Sequence, residues 1–146
     1  KPKTFDLHLK EIDRGELTYD GWKIIIEPLL HSMHSIGFRI ESHDNKTLTY
    51  SGDTDYCDGI IRLARKVNTL VLECSFPDDQ KVEGHLTPQL CARIACESQC
   101  ERLILSHFYP VCDASIKGNN KDLLKRLKNI YNGIIIFAED FARFTI

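Results

Sequence analysis

The chain has 146 residues, of which 42% are hydrophobic and 27% are charged, and its formal net charge is −2. This composition is typical of a single globular domain with a sizeable apolar core. The small net charge gives no global signal for a nucleic-acid or membrane partner. No apolar run approaches the roughly 18 residues that a membrane-spanning helix needs, and we expect a cytoplasmic protein.

Strands dominate the first part of the chain. Alternating apolar and polar residues, or short apolar runs that end at turn residues, predict them. The predicted strands cover residues 5–12, part of 13–21, 22–31, 36–42 and 48–52. The sequence HDNKT at 43–47 predicts a hairpin-type turn before the last of these.

Helices and strands alternate in the rest of the chain. The predicted helices cover residues 55–66, 87–99 and 120–133, and the predicted strands cover 69–75, 102–108, 134–140 and 141–146. Thr87-Pro88 is a helix start signal, and Asn132-Gly133 is a stop signal. The strand at 69–75 shows no alternation, as in an internal strand covered on both faces, and the strand at 102–108 is predicted to be buried as well. The whole pattern predicts an α/β fold with a mixed sheet and helices packed outside.

The six cysteines form no C-x-x-C pair. Cys96 and Cys100 are four residues apart on a predicted helix, so a zinc pair is conceivable. We favour the alternative that all six are free thiols, which act as small hydrophobic residues in a reducing cytoplasm.

A polar residue recurs where predicted strands end. His31, Asp53, Glu73 and His107 each close or follow an apolar run. Ligand sites in layered α/β folds gather at strand ends, and imidazole and carboxylate are ligand types that zinc takes. The pattern therefore favours a metal site, although each residue also has an ordinary structural explanation. Asp53 could be a helix N-cap, and the histidines could be core or loop residues.

Several sequence blocks together resemble a known family. They are IIIEPLLHSMHSIGFRIES, SGDT, LVLECSF, EGHLTPQLCARIA and LILSHF, followed by GIIIFAEDFARFTI at the end of the chain. Their order and spacing resemble the C-terminal half of the metallo-β-lactamase fold, closest to its ribonuclease Z-like branch. The resemblance implies an αββα-type sandwich.

The resemblance also implies roles for particular residues. His31 would bind one metal ion, Asp53 would bridge both ions, and His107 would bind the other. His31 lies seven residues before Phe38, as the family's ligand does, but His34 competes for this role. The cofactors implied are two divalent metal ions, zinc by default, with manganese or iron as alternatives.

Glu73 and His85 match a catalytic pair of the ribonuclease Z-like branch. In that branch the two residues lie near the scissile phosphate. A carboxylate can orient an imidazole and keep it protonated, so that it protonates a leaving oxygen. Without the resemblance, His85 would be read as a loop histidine before an N-capped helix.

The chain also departs from the family pattern. The motif His-x-His-x-Asp-His is absent, and the long insertion that grips tRNA does not occur between His31 and Asp53. We therefore expect residues 1–146 to be the C-terminal part of a single hydrolase domain, inactive alone, and the start of the chain inside a predicted strand favours the same interpretation.

The function implied is a metal-dependent hydrolase. We expect a phosphodiesterase or ribonuclease Z-like endonuclease that uses metal-bound hydroxide on RNA or a small nucleotide. Two alternatives stay open. One is a non-catalytic half-domain that needs a partner segment or forms a homodimer. The other is a hydrolase of a lactone or thioester on the same fold.

Overall fold

The computed structural model describes residues 9–145, and of Asn119 the backbone alone. Its strands are β1 Gly15–Tyr19, β2 Trp22–Pro28, β3 Ile36–Glu41, β4 Thr47–Tyr50, β5 Thr69–Glu73, β6 Arg102–Ser106 and β7 Ile134–Phe137. Its α-helices are α1 Asp58–Leu63, α2 Pro88–Ser98 and α3 Pro110–Lys128. None of the helices in this part of the chain has both the length and the hydropathy needed to cross a membrane.

The seven strands form one sheet in chain order, from β1 to β7. Neighbours from β1 to β4 pair antiparallel, and neighbours from β4 to β7 pair parallel. Parallel neighbours need a crossover connection, and α1, α2 and α3 provide the three that are required. The prediction of a mixed sheet with outer helices is confirmed.

The main core lies between the sheet and its helices. Leu70 pairs with Leu103 and Leu72 pairs with Leu105 across the parallel strands, and all four side chains are fully buried. They pack in one cluster with apolar residues of the three helices. Burial of this kind stabilises a domain by about 25 cal/mol for each Å² of apolar surface.

The opposite face of the sheet is also apolar but less covered. One row of paired residues on this face consists of Phe38, Tyr50, Val71 and Ile104. Ile104 is buried, whereas Tyr50 is 48% exposed. Part of the cover comes from the segment after β7, because Arg102 Nη2 donates to the Thr145 carbonyl at 2.8 Å.

The sheet brings four strand ends to one edge. The antiparallel pairings of β2 with β3 and of β3 with β4 make β2 parallel to β4. The strands β2, β4, β5 and β6 therefore end at the same edge. The residues that follow or close them include His31, Asp53, Glu73 and His107.

Two helix predictions need correction. α1 begins at Asp58 with Cys57 as its N-cap, so the interpretation of Asp53 as a helix cap is wrong. α3 spans Pro110–Lys128 and not 120–133. Pro110 at the first position of α3 is the same start signal that correctly placed α2. It follows the predicted strand 102–108 so closely that the sequence prediction did not use it as a helix start. The helix ends before Asn132-Gly133.

Two strand predictions also differ from the structure. Residues 141–145 form no strand, and neither do residues 9–12. The remaining residues of both predicted strands lie outside the described part of the chain. Alternation of apolar residues indicates one covered face, but it does not guarantee a neighbouring strand with which to form hydrogen bonds.

Candidate metal centre and histidine–glutamate pair

His31, Asp53 and His85 converge at the edge where the strands end. Each offers one ligand atom, and these three atoms lie within 4.8 Å of one another. All three side chains are partly buried. An imidazole, a carboxylate and a second imidazole at this spacing match the donor set that zinc prefers.

His107 is a second histidine beside the Asp53 carboxylate. Its Nε2 atom is 3.4 Å from Asp53 Oδ1, and its backbone adopts a left-handed conformation with φ of 56°. Few residues other than glycine adopt this conformation, and it often marks functional sites. Asp53 therefore lies next to the imidazoles of both His31 and His107, as a carboxylate that bridges two ions would.

His34 stays outside this arrangement. It is exposed, and the only ligand group formed by residues 9–145 contains His31 instead. The geometry thus favours His31 among the two candidate histidines, and the ligand roles themselves remain predictions.

His31 makes one hydrogen bond that bears on metal binding. Its Nδ1 atom accepts from the Met33 amide at 3.2 Å. A metal at Nδ1 would occupy that lone pair, and a metal at Nε2 would require a proton on Nδ1. Metal binding through either nitrogen therefore ends the bond to Met33.

Glu73 is the most completely satisfied polar side chain of the site. Only 3% of the residue is exposed. Its Oε1 atom accepts from the Thr54 amide at 3.1 Å and lies 2.9 Å from His85 Nδ1. Its Oε2 atom accepts from the amide and the hydroxyl of Ser75 at 3.0 and 2.8 Å. Four donors around two oxygens fit an ionised carboxylate.

The contact with Glu73 sets the orientation of the His85 ring. A carboxylate oxygen only accepts, so Nδ1 carries the proton of the ring. Nε2 is then the nitrogen available to other groups. An imidazole held in this way can bind a metal through Nε2 with Glu73 as its supporting partner, or it can donate a proton from Nε2 after that nitrogen has taken one up.

Two aromatic residues line the site, and sequence reasoning did not assign them. The Tyr109 ring lies 5.8 Å from the His85 ring and 5.5 Å from the His107 ring, centroid to centroid. Phe76 packs edge-on against Tyr109 at 4.8 Å. Ser75 was missed as well, although a hydroxyl two residues after a strand-end carboxylate is a usable signal.

A cleft of about 850 Å³ adjoins His107. It lies between the start of α3 and the segment after β7, and its lining includes Ser106, His107, Pro110, Asp113, Lys117 and Glu139. Lys117 is bound to Asp113 at 2.7 Å. The mixed charge of this lining suits a polar ligand.

The sequence of this chain is similar to those of several known proteins. The family model described as "Beta-lactamase superfamily domain" matches residues 5–108. A protein named ribonuclease Z from Nostoc punctiforme is 32% identical over 126 residues, which are 83% of this chain and 37% of that protein. The probable metallo-hydrolase YhfI of Bacillus subtilis is 27% identical over 141 residues, 93% of this chain and 55% of that protein.

Solved structures give the same fold. The crystal structure of YhfI, a metallo-β-lactamase fold protein, superposes with a TM-score of 0.77 at 25% identity and covers 93% of this chain and 56% of that chain. The short form of human tRNase Z superposes with a TM-score of 0.67 at 23% identity over 89% of this chain and 45% of that chain, which shows the fold alone. The chain spans between 37% and 55% of the length of the two relatives named above.

Proposed function

The chain belongs to the β-lactamase superfamily, with a family-model match over residues 5–108, and on this premise we propose that it carries part of the active site of a metal-dependent phosphodiesterase. The predicted resemblance to this superfamily and to its ribonuclease Z-like branch is thereby confirmed. The reaction, the substrate and the number of metal ions are proposals.

The residues at the strand ends fit a centre for two divalent ions. His31 would hold one ion, His107 the other, and Asp53 would bridge them. Divalent ions held by these residues would supply Lewis-acid chemistry, which lowers the pKa of bound water and stabilises charge on the oxygens of a phosphoryl group. Zinc suits these donors, and manganese or iron are alternatives.

The observation that carries the proposal is the contact between Glu73 Oε1 and His85 Nδ1 at 2.9 Å. Through this contact Glu73 would orient the imidazole. One ring nitrogen of His85 lies within 4.8 Å of a ligand atom of His31 and of Asp53. His85 then donates a proton to the leaving oxygen, which an alkoxide leaving group requires.

The relatives support a phosphodiester substrate, either RNA or a small nucleotide. One of them carries the name ribonuclease Z. Tyr109 and Phe76 offer aromatic surface beside the two imidazoles, and bases stack on such surfaces in nucleic-acid sites.

We also propose that residues 1–146 form the C-terminal part of a single hydrolase domain. The chain covers about half of its relative YhfI, and the sheet face opposite the helices leaves Tyr50 48% and Ile134 58% exposed. A second sheet packed on this face would complete the sandwich. A homodimer through this face, without catalysis, is the second candidate function.

The proton-donor role is tested with two phosphodiesters that differ in their leaving group. Bis(p-nitrophenyl) phosphate releases a stable anion, whereas a dinucleotide releases an alkoxide that needs a proton. We expect His85→Ala to lower kcat on the dinucleotide by roughly 10²–10⁴-fold and to affect the aryl substrate far less. His43→Ala, in the exposed turn between β3 and β4, is the matched control.

Metal content separates the two possible roles of His85. An unchanged content in His85→Ala supports the proton donor. Loss of metal, or an equal loss of rate on both substrates, would assign His85 to the ligands and overturn this part of the proposal.

A further inference from the structure

The carboxylate of Asp55 binds the loop that leads to His85. Its Oδ2 atom accepts from Lys81 Nζ at 2.7 Å and from the Gly84 amide at 3.0 Å. Its Oδ1 atom accepts from the Tyr56 amide at 2.7 Å. The side chain is 16% exposed, so these donors replace most of its hydration. The carboxylate therefore fixes the backbone one residue before His85.

The backbone of Asp55 holds a second loop of the site. Its amide donates to the Leu30 carbonyl at 2.6 Å, and Leu30 directly precedes His31. Asp53 lies only two residues before Asp55 in the chain. Asp55 thus stands where the segments that carry His31, Asp53 and His85 meet.

Charge strengthens the contact between the loops. Lys81 Nζ and Asp55 Oδ2 form an ion pair at 2.7 Å between side chains that are 32% and 16% exposed. The bond from Lys81 is therefore a charge-assisted one at neutral pH. Lys81 also donates to the Val82 carbonyl at 2.7 Å, which ties the loop to itself.

We propose that Asp55 is a positioning residue, which holds the His31 and His85 segments in place around Asp53. The inference rests on the proposed function, since the site it positions is the proposed active site. Both oxygens of Asp55 are occupied by donors of this chain. Asp55 therefore acts through its neighbours and not as a ligand or proton donor.

Asparagine cannot replace Asp55 at this position. Three N–H groups point at two carboxylate oxygens, and an amide offers only one oxygen. If the amide nitrogen faces Lys81 and Gly84, both lose their acceptor. If it faces Tyr56, that amide loses its acceptor instead. The first orientation removes both bonds to the His85 loop, and the second weakens the bond from Lys81, because a neutral amide oxygen replaces the charged acceptor.

The test combines amide exchange with zinc affinity, measured on the native protein and on three variants. Asp55→Asn removes the charge, Lys81→Met removes the ion pair but leaves the Gly84 bond, and the exposed Asp79→Asn is the matched control. We expect Asp55→Asn to speed exchange of the Gly84 amide about tenfold or more while a core amide such as Leu72 is unchanged. Zinc affinity, measured by competition with a chelator, falls by about 10–100-fold.

The outcomes separate this inference from the proposed function. Wild-type exchange at Gly84 and wild-type zinc affinity in Asp55→Asn would overturn the positioning role. Equal acceleration at Gly84 and Leu72 would also overturn it, because it indicates global destabilisation. If Asp55→Asn does not fold, Lys81→Met decides by the same comparison, with a smaller expected effect. A native protein that hydrolyses no phosphodiester refutes the proposed function, and the exchange data still decide on Asp55.

Discussion

Replacement of Glu73 by glutamine separates the catalytic from the structural role of this side chain. Each carboxylate oxygen faces two donors. The less costly orientation turns the new amide nitrogen toward Ser75, whose hydroxyl can rotate to accept from it. The Ser75 amide then remains buried without an acceptor, which costs about 1–3 kcal/mol. For a domain of this size each kcal/mol lowers the melting temperature by about 2–4 °C.

The effect of Glu73→Gln on the reaction is larger than its effect on stability. In that orientation glutamine still accepts from His85 Nδ1, but it no longer places a negative charge beside the imidazole that is proposed to donate the proton. We expect kcat on a dinucleotide to fall toward the roughly 10²–10⁴-fold loss that removal of a general acid causes. Bis(p-nitrophenyl) phosphate is affected far less. The assay compares both rates at a temperature where the variant is fully folded.

Glu83→Gln is the matched control for Glu73→Gln, because Glu83 is exposed and lies in the same loop as His85. A variant at Glu73 that keeps its dinucleotide rate would refute the assignment of the pair. The assignment would also be refuted if the lost rate recovers fully when the temperature is lowered, because the loss would then come from reduced stability alone.

Three further predictions concern the loops and the thiols. Gly84→Ala is expected to lower zinc affinity and melting temperature, because Gly84 has φ of 86° and an added Cβ would lie 3.3 Å from His31 Cδ2. Wild-type values of both quantities would contradict this prediction. Gly118→Ala is the control, because an added Cβ there meets nothing within 4 Å. Zinc binding is expected to speed exchange of the Met33 amide, since its bond to His31 is lost, and continued protection in the zinc form would contradict this. A thiol reagent is expected to modify Cys96 first, because Cys96 is exposed, whereas Cys91 is buried and burial raises the pKa of its thiol. A fast phase of modification that survives in Cys96→Ser would refute the prediction.

The positions of the central strands could be predicted because these strands carry strong local sequence signals. Apolar runs before SGDT and within LVLECS placed β4 and β5, and the Thr87-Pro88 start signal placed α2 within one residue of its observed beginning. α3 was harder, because Pro110 follows closely on a strand and the residues 113–121 are mostly polar. The first half of α3 is indicated by the proline at its first position and not by hydrophobic periodicity.

The site was predictable as a set of residue types at strand ends, but not as a geometry. The sequence indicates His31, Asp53 and His107 because each follows an apolar run. It does not reveal that His85 lies within 4.8 Å of His31 and Asp53, since that distance depends on how a loop far along the chain folds back. Asp55 was assigned to a helix, yet the helix begins at Asp58 and leaves its carboxylate free to bind the His85 loop.

In the proposed function Asp53 would bridge two metal ions held by His31 and His107. The most direct test of this role is elemental analysis of the native protein and its Asp53→Asn variant, with hydrolysis of bis(p-nitrophenyl) phosphate measured on the same samples. About two metal ions per chain are expected in the full-length native protein, and metal and activity are expected to be lost together in the variant. A native protein without metal and without activity, or a variant that keeps both, would contradict this role.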